Sequence, residues 1–185
     1  MTPDYCQALA RYNRWMNEKT YAVASKLSDD ERKRDRGAFF KSIHATFNHI
    51  LLADRVWMGR FTGAKLEEGW IGPGGIRSLD QELYSDFEEL RSERAKMDAE
   101  IERWVMAFTT DRLTAPLRFV RKDVTSEYPL WWAVAHVFNH QTHHRGQITT
   151  LLKQAGHDPG VTDLIALLRD EAAQSKGGGK PGRDV

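Results

Sequence analysis

The stretch 129–155 keeps one helical period from Pro129 to Ala155, and histidines stand on its apolar face. Within it, His136-Val137-Phe138-Asn139-His140-Gln141-Thr142-His143-His144 gathers four of the chain's seven histidines. At about 100° per residue, His140 and His144 stand roughly 40° apart, with Cβ atoms roughly 5–6 Å from each other. Ala133, Val137, Ile148, Leu151 and Ala155 fall on the same side, so the pair is turned toward the core. A lone histidine on such a face is ordinarily a hydrogen-bonded core residue. Two at i and i+4 leave polar ring nitrogens that each need a partner, and one metal ion at ~2.1 Å would satisfy a nitrogen of each. His136 is one turn from His140 and makes an alternative pair with it. All three cannot share one ion, because His136 and His144 are roughly 12 Å apart along the axis. His136 therefore reads as a core residue or a group that orients a ligand, and His143 as structural.

Composition bounds the rest. A chain of 185 residues, 29% charged and 41% hydrophobic, suits a single globular domain with a real core. A net charge of +1 supplies no basic field, so no nucleic-acid partner is expected. No apolar run approaches the ~18–20 residues of a membrane span, and the first residues lack a signal-peptide pattern. Cys6 is the single cysteine, which excludes an internal disulfide and fits a cytoplasmic location. With no neighbouring base in sequence, Cys6 is a weak nucleophile candidate.

In chain order, Thr2-Pro3 supplies an N-cap and a first-turn proline for a helix running to about residue 26. Ser28-Asp29-Asp30-Glu31 has the capping-box pattern of a further short turn. A second helix is expected over 38–61, apolar around most of its girth and so buried on more than one side. Lys41, His44, Asn48 and Arg55 form its narrow polar strip, expected at solvent, while His49 groups with Ala45, Ala53 and Val56. Asp54 falls on the main apolar stripe, where a carboxylate needs a histidine or arginine partner. Thr62-Gly63 ends this helix, and 69–75 reads as a loop. A third helix is expected over 79–108, its stripe interrupted by Arg94. Residues 117–128 read as a short hairpin or an irregular crossover. Pro129 opens the fourth helix and Gly156 closes it. A short helix over 162–171 and a flexible tail over 173–185 follow. The expected fold is all-α: a four-helix bundle over 1–172 with long crossover loops and a short C-terminal helix.

Bundles build metal sites from side chains on facing helices. A faint echo, Phe47-Asn48-His49 against Phe138-Asn139-His140, singles out His49 as the best third ligand. No glutamate follows His140, so the zinc-protease pattern is absent, and the Glu-x-x-His pairs of di-iron bundles are missing.

Ser42-Ile43-His44-Ala45-Thr46-Phe47-Asn48-His49, Ala53-Asp54-Arg55-Val56-Trp57 and Arg60-Phe61-Thr62-Gly63 form one block of a further pattern. Phe138 to Gln147, ending in Leu151-Leu152-Lys153-Gln154-Ala155-Gly156, forms a second. In these blocks, and from about residue 3 to residue 170, the chain resembles the DinB-like (YfiT-like) family of damage-inducible, metal-dependent enzymes. The resemblance implies a four-helix bundle, often a homodimer, with His49, His140 and His144 as metal ligands at one end. It also implies relatives that act as thiol S-transferases using bacillithiol, mycothiol or glutathione. Three neutral imidazoles with no fourth protein ligand leave an open coordination position, the arrangement of a catalytic site. The expected function is a metal-dependent thiol S-transferase joining a small-molecule thiol to an electrophilic substrate. Its cofactor would be a divalent transition metal, zinc or nickel ahead of iron, manganese or copper. The alternatives are a metal-dependent hydrolase, a stress-response metal-binding protein without catalysis, and a dimerisation bundle whose histidines are merely buried. Asp54, His136, Arg145 and Gln147 are candidates to orient ligands or substrate. Bundle hydrogen bonds or surface charge are the plainer reading of Asp54, Arg145 and Gln147.

Overall fold

The structure, a computed structural model, describes residues 1–63, 76–121 and 123–176. Four long helices form the bundle: α1 (Pro3–Ala24), α3 (Ile43–Thr62), α4 (Phe87–Met106) and α6 (Leu130–Gln154). Short helices α2 (Asp29–Lys33) and α5 (Thr110–Thr114) and a longer α7 (Leu164–Lys176) accompany them. One antiparallel hairpin, β1 (Pro116–Arg121) with β2 (Val124–Pro129), pairs from Pro116 opposite Pro129 to Arg121 opposite Val124. α1 and α3 each pack against both α4 and α6 and so stand diagonally across the bundle. Among the described residues no helix is long and apolar enough to cross a membrane.

The ends of these helices follow their sequence signals. Thr2 Oγ1 accepts from Tyr5 N at 3.2 Å to open α1, and Ser28 with Glu31 makes the reciprocal capping box of α2. Gly63 closes α3 and Gly156 follows α6, with φ of 72° and 86°, a region in which a Cβ is costly. Of the two readings over 117–128, hairpin or irregular crossover, the structure has the hairpin. The expected loop over 69–75 and the tail beyond residue 176 lie outside the described residues.

Three boundaries differ from expectation. α3 starts at Ile43 rather than residue 38, because residues 36–41 make a tight turn first. Lys41 takes φ 64°, its N–H bonds Ala38 O at 2.7 Å, and Ser42 then caps the helix through Ala45 N. α4 starts at Phe87 rather than residue 79, with Asp86 as its N-cap. Residues 76–86 instead lie as a strap over α3. Leu83 from this strap packs on Leu52 and Val56, which is why it fits an apolar period without being helical. The strap also corrects the expected solvent strip: His44, Asn48 and Arg55 are all buried beneath it, while Lys41 stays exposed. Asn48 Oδ1 accepts from Leu83 N and Tyr84 N at 2.8 and 2.9 Å, and His44 Nε2 donates to Tyr84 O at 2.8 Å. Finally, α7 runs to Lys176, so the first residues of the expected tail are helical.

The centre of the bundle is apolar, with Tyr21, Phe47, Leu90, Ile101, Ile148 and Leu152 among its residues, yet it encloses a layer of charge. Arg94 Nη1 donates to Asp54 Oδ2 at 2.5 Å, and its Nη2 lies 3.0 Å from Asp98 Oδ1. Asn13 and Asn17 of α1 donate to Asp98 at 3.0 and 2.9 Å, and Arg145 of α6 donates to Asn13 and Gln141. All four long helices contribute. Burial pushes Asp98 up to about 6, against the pull of Arg94 and Asn17. Burial would lower Arg94, but Asp98 and Asp54 more than reverse it and hold the guanidinium charged.

Removing that cation leaves two buried carboxylates facing each other. Arg94→Leu is expected to cost about 3–5 kcal/mol in urea unfolding at pH 7.5. Without Arg94 the folded-state pKa of the Asp98 carboxyl rises further above its unfolded value of ~3.9. The stability that Asp98 contributes through this shift is complete below the unfolded value and lost as pH rises through the folded pKa. The variant is therefore expected to lose less at pH 5 than at pH 7.5; an equal loss at both would contradict this account.

Candidate metal centre

His49 stands on α3 nearly two turns in from Ser42, and His140 and His144 stand one turn apart on the facing stretch of α6. Because α3 and α6 are direct neighbours, the three rings meet between them. His49 Nε2 lies 3.2 Å from His140 Nε2, and His144 Nε2 lies 3.1 Å from the same atom. All three ring nitrogens lie within 4.8 Å of one another. His49 and His144 are buried, while His140 is half-buried and forms the accessible side. Among the described residues no other group of three histidine, cysteine, aspartate or glutamate side chains converges in this way.

The far side of each outer ring fixes its proton. His49 Nδ1 lies 2.7 Å from Leu79 O, a carbonyl that can only accept, so Nδ1 carries the hydrogen and Nε2 a lone pair. His144 Nδ1 lies 2.7 Å from Gln147 Oε1, while the amide nitrogen of Gln147 donates to His143 Nε2 at 3.3 Å. His144 Nε2 is thus a lone pair as well. Two lone pairs face His140 Nε2, which holds at most one proton and cannot donate well to both. Such a set is short of a positive centre. Two imidazole nitrogens each ~2.1 Å from one ion lie roughly 3.2–3.4 Å apart at coordination angles near 100–110°. The observed separations fit that donor set, and anchoring of the outer nitrogens by a carbonyl and an amide is the usual support of metal-bound imidazoles.

Electrostatics agree. Burial, reinforced by the neighbouring imidazoles, pushes His140 down to about 3. Burial likewise lowers His49 and His144, against the hydrogen bonds they donate to Leu79 O and Gln147 Oε1, which favour the charged rings. All three rings are neutral at pH 7, the form that offers a lone pair. Phe40, delivered by the turn at Lys41, stacks on His49 at 3.8 Å and meets His144 edge-on at 5.5 Å, closing one side of the cluster.

The other candidates divide. Gln147 does orient a ring. Asp54 instead pairs with Arg94, and Arg145 is neither at the cluster nor at the surface but buried against Asn13 and Gln141. Their polarity within an apolar pattern marks the charge layer. His136 is exposed, packed on Trp57 at 5.1 Å and beside His140 at 5.9 Å. His143 is exposed and reaches the cluster through Gln147. Cys6 is fully buried, and burial pushes its thiol up to about 11, so it is no nucleophile. Leu79 and Phe40 were missed by sequence reasoning. Leu79 acts through its carbonyl, which leaves no side-chain signal, and Phe40 looked like one more member of a helical stripe.

The family model for the DinB family matches residues 2–177. Protein DinB of Bacillus subtilis is 26% identical over 167 residues, covering 86% of this chain and 91% of that protein. The crystal structure of a DinB-like protein from Bacillus cereus superposes with a TM-score of 0.57 at 25% identity, covering 79% of this chain and 90% of that one.

The tautomers are open to direct measurement. In metal-free protein at pH 7.5, long-range 15N–1H NMR is expected to show His49 and His144 protonated at Nδ1. Gln147→Leu is expected to release the preference at His144 and leave His49 unchanged. Nε2–H signals for both rings would contradict the assignment.

Proposed function

The chain belongs to the DinB family, and from that premise we propose that it is a metal-dependent thiol S-transferase acting on small electrophilic molecules, with His49, His140 and His144 as the metal ligands. The reading rests on one observation: three convergent imidazole nitrogens, two of them held as lone pairs, stand together with no carboxylate in their group. A divalent metal bound there would favour the thiolate form of a coordinated thiol at neutral pH. Zinc or nickel suits three nitrogen donors, and supply in the cell decides among these, iron, manganese and copper.

The absence of a carboxylate from the cluster favours thiol transfer over hydrolysis. Zinc hydrolases of the His-Glu-x-x-His type pair the bound water with a carboxylate general base, and among the described residues no carboxylate joins the three-histidine group. A thiol loses its proton far more readily than water, so no separate base is needed. In the net reaction a C–S bond forms as the sulfur attacks an electrophilic carbon. The leaving group departs with its electron pair, and the thiol proton passes to solvent. The chain's residues hold the site for this chemistry: Leu79 and Gln147 keep two rings in one tautomer, Phe40 excludes water from one side, and half-buried His140 marks the open side.

Cobalt-loaded protein titrated with N-acetylcysteine is expected to develop a sulfur-to-metal absorption band. The bound thiol should ionise at least about one unit below its usual ~8.5. Monochlorobimane should then be converted to its thioether faster than in buffer. A cobalt spectrum indifferent to thiol, with no conjugation above background, would sink the transferase reading and leave a metal-binding protein.

A further inference from the structure

A groove of about 460 Å³ runs beside the histidine cluster, between the turn at 36–39 and one edge of α6. Arg36 and Phe39 line one wall, and His143, Gly146, Gln147 and Thr150 line the other. Both walls lead to the cluster. Gln147 bonds His144 Nδ1 at 2.7 Å, and Phe39 meets Phe40 edge-on at 4.8 Å, with Phe40 in turn stacked on His49. A molecule lying in this groove therefore touches Gln147, which orients His144, and Phe39, which packs on the ring that covers His49.

The lining describes its occupant. Among the described residues Arg36 is the one charged side chain that lines the groove. Its Nη2 donates to Glu31 O at 3.2 Å, but its Nε is buried without a hydrogen-bond partner. Among the described residues it has no carboxylate partner, and its neighbour Asp35 is committed to Gly37 N at 2.9 Å. A buried donor without an acceptor calls for an explanation, and a guanidinium is shaped to take a carboxylate through two parallel bonds. Phe39 leaves 81% of its surface in water, an unusual position for a phenyl ring. Gly146, on the opposite wall, faces open space where a Cβ would stand.

We propose that this groove binds the acidic arm of the thiol: Arg36 pairs with a carboxylate and Phe39 covers the adjoining chain, leaving the sulfur to reach the histidines. The inference rests on the transferase reading and specifies its co-substrate as an acidic low-molecular-weight thiol rather than a neutral one. It also separates two parts of recognition, since the sulfur is read by the cluster and the carboxylate by a residue outside it.

The test is calorimetry on zinc-loaded protein with three probes: glutathione, its diethyl ester, and S-methylglutathione. Glutathione is expected to bind at least about tenfold more tightly than the ester, the scale of one charge-assisted pair. Arg36→Gln should abolish that preference without weakening the ester. Gly146→Phe fills the groove from a helical position with no close neighbour, and should weaken glutathione and S-methylglutathione alike while zinc content stays unchanged. It keeps the test valid should Arg36→Gln disturb the 36–41 turn. Equal affinities for acid and ester, or a preference surviving Arg36→Gln, would overturn the groove assignment while leaving the metal–thiol reading intact. Glutathione binding no better than S-methylglutathione, with dependence on Arg36 retained, would instead remove the sulfur from the account and keep the carboxylate site.

Discussion

Two hydrogen atoms decide the character of the site. With the Nδ1 protons of His49 and His144 committed to Leu79 O and Gln147 Oε1, their Nε2 lone pairs have nowhere to point except at His140. The arrangement is costly for bare imidazoles and natural around a cation. Everything that fixes those two protons therefore belongs to the functional machinery, including residues far from any ligand. The Leu79 carbonyl is held because the strap is held. The strap is held because Asn48 and His44 meet its backbone at Leu83 and Tyr84.

α6 serves the whole molecule through three adjacent stripes at i, i+4 spacing. His140 and His144 face α3 and form the cluster. One residue further along, Gln141 and Arg145 turn toward α1 and join the buried charge layer with Asn13 and Asp98. His143 and Gln147 face outward and line the groove. A single helix thus sets the register between core, site and substrate surface, and its rotation is fixed by the charge layer. Replacing such a layer with apolar residues often stabilises a protein, so its presence here points to a gain in defined geometry. The apolar core alone would tolerate small rotations of α6. The Arg145 bond to Asn13 of α1 does not.

Much of this was legible in the sequence because it is local. Helical period, caps and the glycines after α3 and α6 depend on residues a few positions apart, and so does the His140/His144 pair. The bundle, the hairpin and the meeting of the three histidines followed from them and from the family resemblance. What escaped was tertiary. His44 and Asn48 looked solvated because their covering strap comes from a segment more than thirty residues away, as their bonds to Tyr84 show. Leu83 matched the apolar stripe of α4 but meets that need from the non-helical strap. For Arg145 the sequence left bundle hydrogen bonds and surface charge both open, because a pattern cannot show an asparagine waiting on another helix. Backbone acceptors such as Leu79 O have no sequence signature at all.

The central claim, that the three convergent imidazole nitrogens are a metal site, is tested most directly by elemental analysis. Protein purified without chelator and reconstituted with zinc or nickel should be compared with His49→Ala, His140→Ala and His144→Ala variants. The account predicts about one transition metal per chain in the parent and a marked loss in each variant, with helical content unchanged. A parent that takes up no metal under any of these conditions, or variants that retain it in full, would contradict the account and return the histidines to the role of buried core residues.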